Sequence, residues 1–213
     1  MTGVCIFDLD GVICHTDEYH YLAWRRLCDD LGLMFDRKLN ERLRGVSRRE
    51  SLEIILRHND VEFPERQMLE FMDRKNQWYG EYLLRMSPAD LEEDVRPTLH
   101  SLRSMGLRLA IGSSSRNARL ILDRLGIAGL FDTIVDGTMI LRSKPDPEVF
   151  LKAASLVGAS PTGCVVVEDA LSGIHAAQRA RIPCIAYRLH DPELDVAIPH
   201  AETFRDILRI MGV

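Results

Sequence analysis

The sequence predicts an α/β protein, a doubly wound parallel sheet with an all-helical segment inserted after its first strand. Three observations carry this. Short, nearly continuous apolar runs alternate with helical patterns beyond about residue 90, as in a parallel sheet covered on both faces. Residues 16–89 instead show apolar side chains at helical spacing among many charges, with no strand-like run. The chain also opens on an apolar strand, Val4 to Phe7, that ends in two carboxylates one residue apart, Asp8 and Asp10.

Alternation along a strand starts Asp8 and Asp10 on one side, with Leu9 turned away. Gly11 allows a sharp turn. Such a pair suits magnesium and phosphate chemistry, one carboxylate attacking phosphorus and the other moving a proton. A bare metal site or an acid-capped turn fits the pair equally. In the insertion, Thr16 is the expected N-cap, with Asp17 and Glu18 in the first turn. The triplets Leu22, Leu27, Leu31; Leu52, Ile55, Leu56; and Met68, Phe71, Met72 mark its apolar helix faces. Ser87-Pro88-Ala89-Asp90 is the expected return linker. Later strands are expected at Leu107–Gly112, Phe131–Val135, Cys164–Val167 and Cys184–Tyr187. Helices are expected at Thr98–Met105, Ala118–Leu125, Pro147–Val157 and Leu171–Arg181. The domains expected are therefore an α/β core, 1–15 with 90–213, and a helical domain, 16–89.

Composition narrows the function. The 213 residues carry a formal charge of −5 and 46% hydrophobic residues. That supports a real core and leaves no basic field for nucleic acid. No apolar stretch approaches a membrane span. The N-terminus lacks a basic region followed by a cleavage site, so the expected location is the cytoplasm. Cys5, Cys14, Cys28, Cys164 and Cys184 form no CxxC pair and are expected as reduced thiols.

Further polar groups fall where strands end. Ser113-Ser114-Ser115-Arg116-Asn117 could form an anion site at a helix start, or a plain serine cap. Lys144, before Pro145, could hold a phosphate as a point charge, or lie on the surface before a Pro-started helix. Glu168 and Asp169 could complete a magnesium site; Asp169 could instead cap the helix near Leu171. Gly173 would allow close packing beside them. In the insertion, Arg44-Gly45-Val46-Ser47-Arg48 is a glycine-bearing loop between guanidinium groups, and Arg48 could grip a phosphate. His20 and Trp24 lie one turn apart on one helix face. Lys75 and Asn76 stand out in no way by themselves.

The order Asp-x-Asp, Ser, Lys, Glu-Asp, each after its own strand, resembles the haloacid dehalogenase superfamily of phosphotransferases over essentially the whole chain. The resemblance implies a nucleophile at Asp8 and a general acid/base at Asp10. Ser113 and Lys144 would hold the transferring phosphate, and Asp8, Asp10, Glu168 and Asp169 would hold Mg2+. A second Asp argues against halide displacement. Finer matches tighten the resemblance to the β-phosphoglucomutase family: Phe7–Val12, Glu18-Tyr19-His20, Ala23-Trp24, Gly45-Val46-Ser47-Arg48, Ser51-Leu52, Arg74-Lys75-Asn76, Ser87–Asp90 and Ser143-Lys144-Pro145. In that family the insertion is a helical cap. His20 would couple cap closure to Asp10. Trp24, Arg44, Gly45, Val46, Ser47, Arg48, Ser51 and Lys75, with Ser114, Ser115, Arg116 and Asn117, would contact a sugar phosphate. A sugar 1,6-bisphosphate would serve as activator and intermediate. The expected protein is a monomeric phosphomutase acting on a small-molecule sugar phosphate, without nucleic acid or membrane partners. The alternatives are a sugar- or nucleotide-phosphate phosphatase with the same residues, and an idle binding module, which would need one of Asp8, Asp10, Lys144 or Asp169 replaced. Cys14-His15 depart from the usual Thr-Asp at the hinge; Ser114, Arg116 and Thr98 depart from the usual Ala, Lys and Gly.

Overall fold

The computed structural model describes residues 3–43, 46–192, 194 and 197–212. Its elements run in the order β1 (Val4–Phe7), α1 (Asp17–Leu31), α2 (Arg37–Glu41), α3 (Arg48–His58), α4 (Glu65–Leu83) and α5 (Val95–Ser104). There follow β2 (Arg108–Gly112), α6 (Ala118–Arg124), β3 (Thr133–Val135), α7 (Glu148–Leu156) and β4 (Cys164–Glu168). The chain closes with α8 (Leu171–Ala180), β5 (Cys184–Tyr187), β6 (His200–Ala201) and α9 (Asp206–Ile210). It divides into two compact units, Met1–His15 with Met86–Val213, and Thr16–Arg85.

In the first unit the strands form one parallel sheet in the order β3-β2-β1-β4-β5-β6. Successive strands run outward from β1 to β3, and the chain then returns to place β4 on the other side of β1. That reversal leaves a crevice at the carboxyl ends of β1 and β4, where α/β sheets bind ligands. All four residues of β1 are buried. Val4 and Ile6 join Val149, Phe150 and Ala177 in one apolar cluster. Phe7, on the opposite face, stacks on Phe204 with ring centroids 5.5 Å apart. Both faces of the sheet are thus covered, which explains the unbroken apolar character of the strands.

The edge of the sheet differs from the expectation. Two-residue β6 and short α9 lie below the length at which periodicity gives a signal. The β3 strand starts at Thr133 rather than Phe131: the Phe131 N–H donates back to Ala128 O at 3.2 Å in the preceding turn, and at Asp132 the side-chain carboxylate replaces a backbone carbonyl as acceptor of the Leu109 N–H, at 2.8 Å. The α5 helix begins three residues early, at Val95, with Pro97 in its first turn, where a missing N–H does no harm.

The second unit packs α1 against α4, with Trp24, Leu27, Leu52, Ile55, Phe71 and Met72 in its core. Thr16 stands at the N-cap of α1, but its backbone (φ −113°, ψ 7°) is not the extended form that capping favours, and no capping bond from its side chain is among the described contacts. Asp17 and Glu18 do lie in the first turn and complement the helix dipole.

Candidate active site

The Asp8 backbone N–H donates to Val167 O at 3.0 Å, extending the β1–β4 ladder one residue past β1. Register pairs Phe7 with Ile111 on one side and Val167 on the other. Asp8 therefore emerges between the ends of β2 and β4, beside Glu168. The chain then turns through Gly11 at φ 96°, while the Ile13 and Cys14 N–H groups donate to Leu9 O at 2.9 and 3.2 Å. Leu9 is fully buried, Asp8 is buried and Asp10 is partly exposed. A side chain at Gly11 is excluded twice over: its φ favours glycine, and an added Cβ would sit 1.9 Å from Asp169 Oδ2.

Lys144 arrives from the loop between β3 and α7. Its buried ammonium donates to Asp8 Oδ1 and, at 2.8 Å, to Glu168 Oε2. Asp8, Glu168 and Asp169 each bring a ligand oxygen within 4.8 Å of the others. The Asp10 carboxylate is not in that group, although its charge is felt at Asp169. Burial raises the Glu168 carboxyl to about 8; Lys144 opposes this, and the Asp8 and Asp169 charges add to it. Burial and the Asp8 charge raise Asp169 to about 7, against the pull of Lys144. Burial works against the Lys144 charge, but the Asp8 and Glu168 carboxylates outweigh it and hold the ammonium protonated.

Three acids crowd one ammonium in a desolvated crevice, and with Glu168 and Asp169 raised to about 8 and about 7 a further cation is what would hold all three ionised. An all-oxygen donor set of this kind fits Mg2+, a hard cation that also keeps waters. Asp169 does not cap α8. Ala170 holds the N-cap position, and Glu168 Oε1 accepts from Ala170 N at 3.3 Å. Gly173 gives Glu168 its room, since an added Cβ there would fall 2.0 Å from the Glu168 carboxyl carbon.

The serine loop follows β2. Ser113 is buried, and its N–H donates to Val135 O at 3.0 Å. Its hydroxyl oxygen accepts from Ser115 N at 3.0 Å, and the Ser115 hydroxyl accepts from Asn117 N at 3.3 Å. Two of the N–H groups expected to face an anion are thus held by the loop itself. Ser114 and Arg116 are exposed.

In the second unit, His20 and Trp24 of α1 meet Lys75 and Tyr79 of α4. Lys75 is buried, with Nζ 2.7 Å from His20 Nδ1, 5.0 Å from the Trp24 ring centroid and 4.6 Å from that of Tyr79. An ammonium only donates, so Nδ1 accepts and the imidazole proton sits on Nε2. Burial, then the Lys75 and Arg48 charges, hold the His20 pKa well below its ordinary value. Arg48 Nη2 donates to Asn76 Oδ1 at 2.8 Å. Ser47 caps α3 by accepting from Glu50 N at 3.2 Å, and Ser51 is buried. Val46 is half-buried; Arg44 and Gly45 lie outside the described residues. By residue type alone Lys75 stands out in no way, yet the sequence carries a signal for it. It continues the apolar stripe of Met68, Phe71 and Met72 into Tyr79, a place where a lysine must find a partner.

A crevice with an aspartate pair, a buried lysine and two further acids at consecutive strand ends defines a phosphate-handling α/β enzyme. The haloacid dehalogenase-like hydrolase family model matches residues 5–187. β-Phosphoglucomutase of Bacillus subtilis is 44% identical over 177 residues, covering 82% of this chain and 78% of that protein. A fructose-1-phosphate phosphatase of Escherichia coli is 32% identical over 185 residues, 86% of this chain and 95% of that one. The crystal structure of β-phosphoglucomutase from Clostridium difficile superimposes with TM-score 0.88 at 33% identity, over 100% of this chain and 96% of that one. The chain belongs to the haloacid dehalogenase-like hydrolase family and, within it, to the β-phosphoglucomutase-like enzymes. Its cysteines are free thiols, and no helix among the described residues is long and apolar enough to cross a membrane.

Proposed function

We propose that the protein is a phosphomutase that interconverts a β-sugar 1-phosphate, β-D-glucose 1-phosphate first among candidates, and the sugar 6-phosphate. The observation that carries this reading is the buried Lys144 bridging Asp8 and Glu168, in a chain 44% identical to a β-phosphoglucomutase. Asp8 attacks phosphorus and holds the phosphoryl group as an aspartyl phosphate. Asp10 removes the proton of the accepting sugar hydroxyl and returns it in the reverse step. The resulting sugar 1,6-bisphosphate reorients and gives its other phosphate back to Asp8. Lys144 and the Ser113 hydroxyl neutralise charge on the transferring group, the chief source of catalysis in phosphoryl transfer. Asp8, Glu168 and Asp169, with Asp10 beside them, would hold Mg2+, which supplies further neutralisation of that charge.

Arg48 and Lys75 are assigned to the phosphate that is not reacting. His20, neutral and donating from Nε2, is assigned to the proton route through Asp10. Trp24, Ser47 and Ser51 support this group.

The second reading is a sugar-phosphate phosphatase, favoured by the phosphatase relative at 32% identity. One assay separates the two. With β-glucose 1-phosphate, Mg2+ and a trace of the bisphosphate, the mutase forms glucose 6-phosphate in excess of free phosphate. Free phosphate without glucose 6-phosphate would establish the hydrolase instead.

A further inference from the structure

We propose that His190, His200 and Glu202 form a second metal site, selective for a zinc-class divalent ion and separate from the Asp8 crevice. His190 Nε2 lies 3.2 Å from Glu202 Oε1, and His200 Nδ1 lies 3.6 Å from the same oxygen. The three ligand atoms all fall within 4.8 Å of one another. Bonds of about 2.1 Å to a tetrahedral ion subtend ligand-to-ligand edges of about 3.4 Å, so both measured edges fit. Two imidazoles and one carboxylate are a borderline-soft donor set, suited to zinc, cobalt or nickel rather than magnesium. A fourth position is left for water, because the group lies at the surface.

The backbone holds this arrangement in advance. His200 and Glu202 are two residues apart on the β6 strand and its extension, so they project to one side. β6 pairs with β5 through Ala186 and His200, and through Tyr187 and Ala201. Glu202 is fixed at both ends: Arg188 Nε donates to its carbonyl at 2.9 Å, and its N–H donates to Asp206 Oδ2 at 3.2 Å. His190 leaves β5 two residues beyond Arg188, and its ring packs edge-on to His200 with centroids 4.9 Å apart. His200 turns Nδ1 toward Glu202, while its Nε2 is buried with no hydrogen-bond partner among the described residues, so Nδ1 is the nitrogen positioned to coordinate. An ion here would tie the end of β5 to the edge strand β6.

The test is calorimetric titration of Zn2+ into the full chain held in excess Mg2+, which competes for the Asp8 crevice. The expected result is one Zn2+ equivalent that disappears in His190→Ala and in the His190→Ala/His200→Ala double variant. Binding should weaken about 10-fold or more in Glu202→Gln. Zn2+ should raise the melting temperature of the wild type and not that of His190→Ala. His190 is exposed and outside the sheet, so that variant folds, and its Mg2+-dependent turnover should match wild type. Equal Zn2+ stoichiometry and affinity in wild type and the double variant, or no Zn2+ uptake by the wild type, would overturn the site and leave an ordinary histidine–glutamate contact.

Discussion

Asp8 faces an ammonium on one side and two acids on the other, and the balance between them sets what each substitution does. Asp8→Asn keeps the shape and removes the nucleophile; turnover of β-glucose 1-phosphate should vanish, and no labelled phosphate should be trapped on the protein. Asp10→Ala should lower kcat by about 10²–10⁴, the usual worth of a placed proton-transfer group, and should slow formation of the aspartyl phosphate from the bisphosphate as well, since Asp10 protonates the leaving sugar oxygen in that step. Near-normal turnover would show that another group moves the proton. Gly173→Ala pushes a methyl group into the Glu168 carboxyl. Overpacking of this kind costs about 1–3 kcal/mol. The variant should melt lower and need more Mg2+ for half-maximal activity; an unchanged Mg2+ titration would mean that Glu168 does not take part in holding the ion. At this scale the sequence was informative where a residue type is rare in its setting. Two acids ending a strand and a glycine inside a helix were both visible as anomalies. Which acids share an ion was not visible, because that depends on distances across the sheet.

Helices α1 and α4 form the structural partnership in which a buried lysine and a half-buried histidine meet, and pH acts on that pair. The His20 pKa is lowered in the folded protein, while the unfolded chain titrates near 6.5. Between those two values the unfolded chain binds more protons than the native one, so stability rises with pH up to about 6.5 and is constant above it, as far as this group is concerned. Through this group, lowering the pH from 7 to 5 destabilises the protein in urea, while Glu168 and Asp169, raised to about 8 and about 7, act in the opposite direction; the His20 contribution is therefore read as the difference in slope between wild type and His20→Gln. An equal slope in both would assign the acid sensitivity elsewhere. Lys75→Met removes the cation from the pair and should raise the His20 pKa, read from its imidazole NMR signals, while weakening sugar-phosphate binding. At the start of α3, Arg48→Ala should raise KM for hexose phosphates about 10-fold or more and change hydrolysis of acetyl phosphate little, since acetyl phosphate carries no second phosphate. Equal losses on both would make Arg48 part of the transfer site or of the fold. The helical faces of this unit were legible from apolar spacing. The Lys75–His20 contact was not, because its partners lie 55 residues apart.

Across the whole molecule, the chain passes between its two units at His15–Thr16 and again at Arg85–Met86. Near both crossings, His15 Nε2 lies 3.0 Å from Glu92 Oε1, and Arg188 donates to both Glu92 oxygens at 2.7 Å. Arg188 first, with His15 assisting, brings the Glu92 carboxyl down to about 2. The Arg188 pair survives in His15→Ala, so that variant should change stability by no more than about 0.5 kcal/mol. It should leave the ratio of glucose 6-phosphate to free phosphate as in wild type, whereas His20→Ala should lower it; the reverse pattern would exchange the two roles. The amino-acid sequence by itself determined the α/β class, the helical insertion and the succession of polar groups at strand ends. Each of these is written in local patterns: apolar runs, helical spacing, acids and lysine beside glycine or proline. The tertiary structure alone decided the sheet order, the edge strand β6, the grouping of Asp8 with Glu168, Asp169 and Lys144, and the burial of Lys75. Parallel pairing joins Phe7 to Val167 across most of the chain, and no short stretch of sequence encodes such a register. A charged side chain likewise acquires its role only when folding has removed its water and set its partners around it.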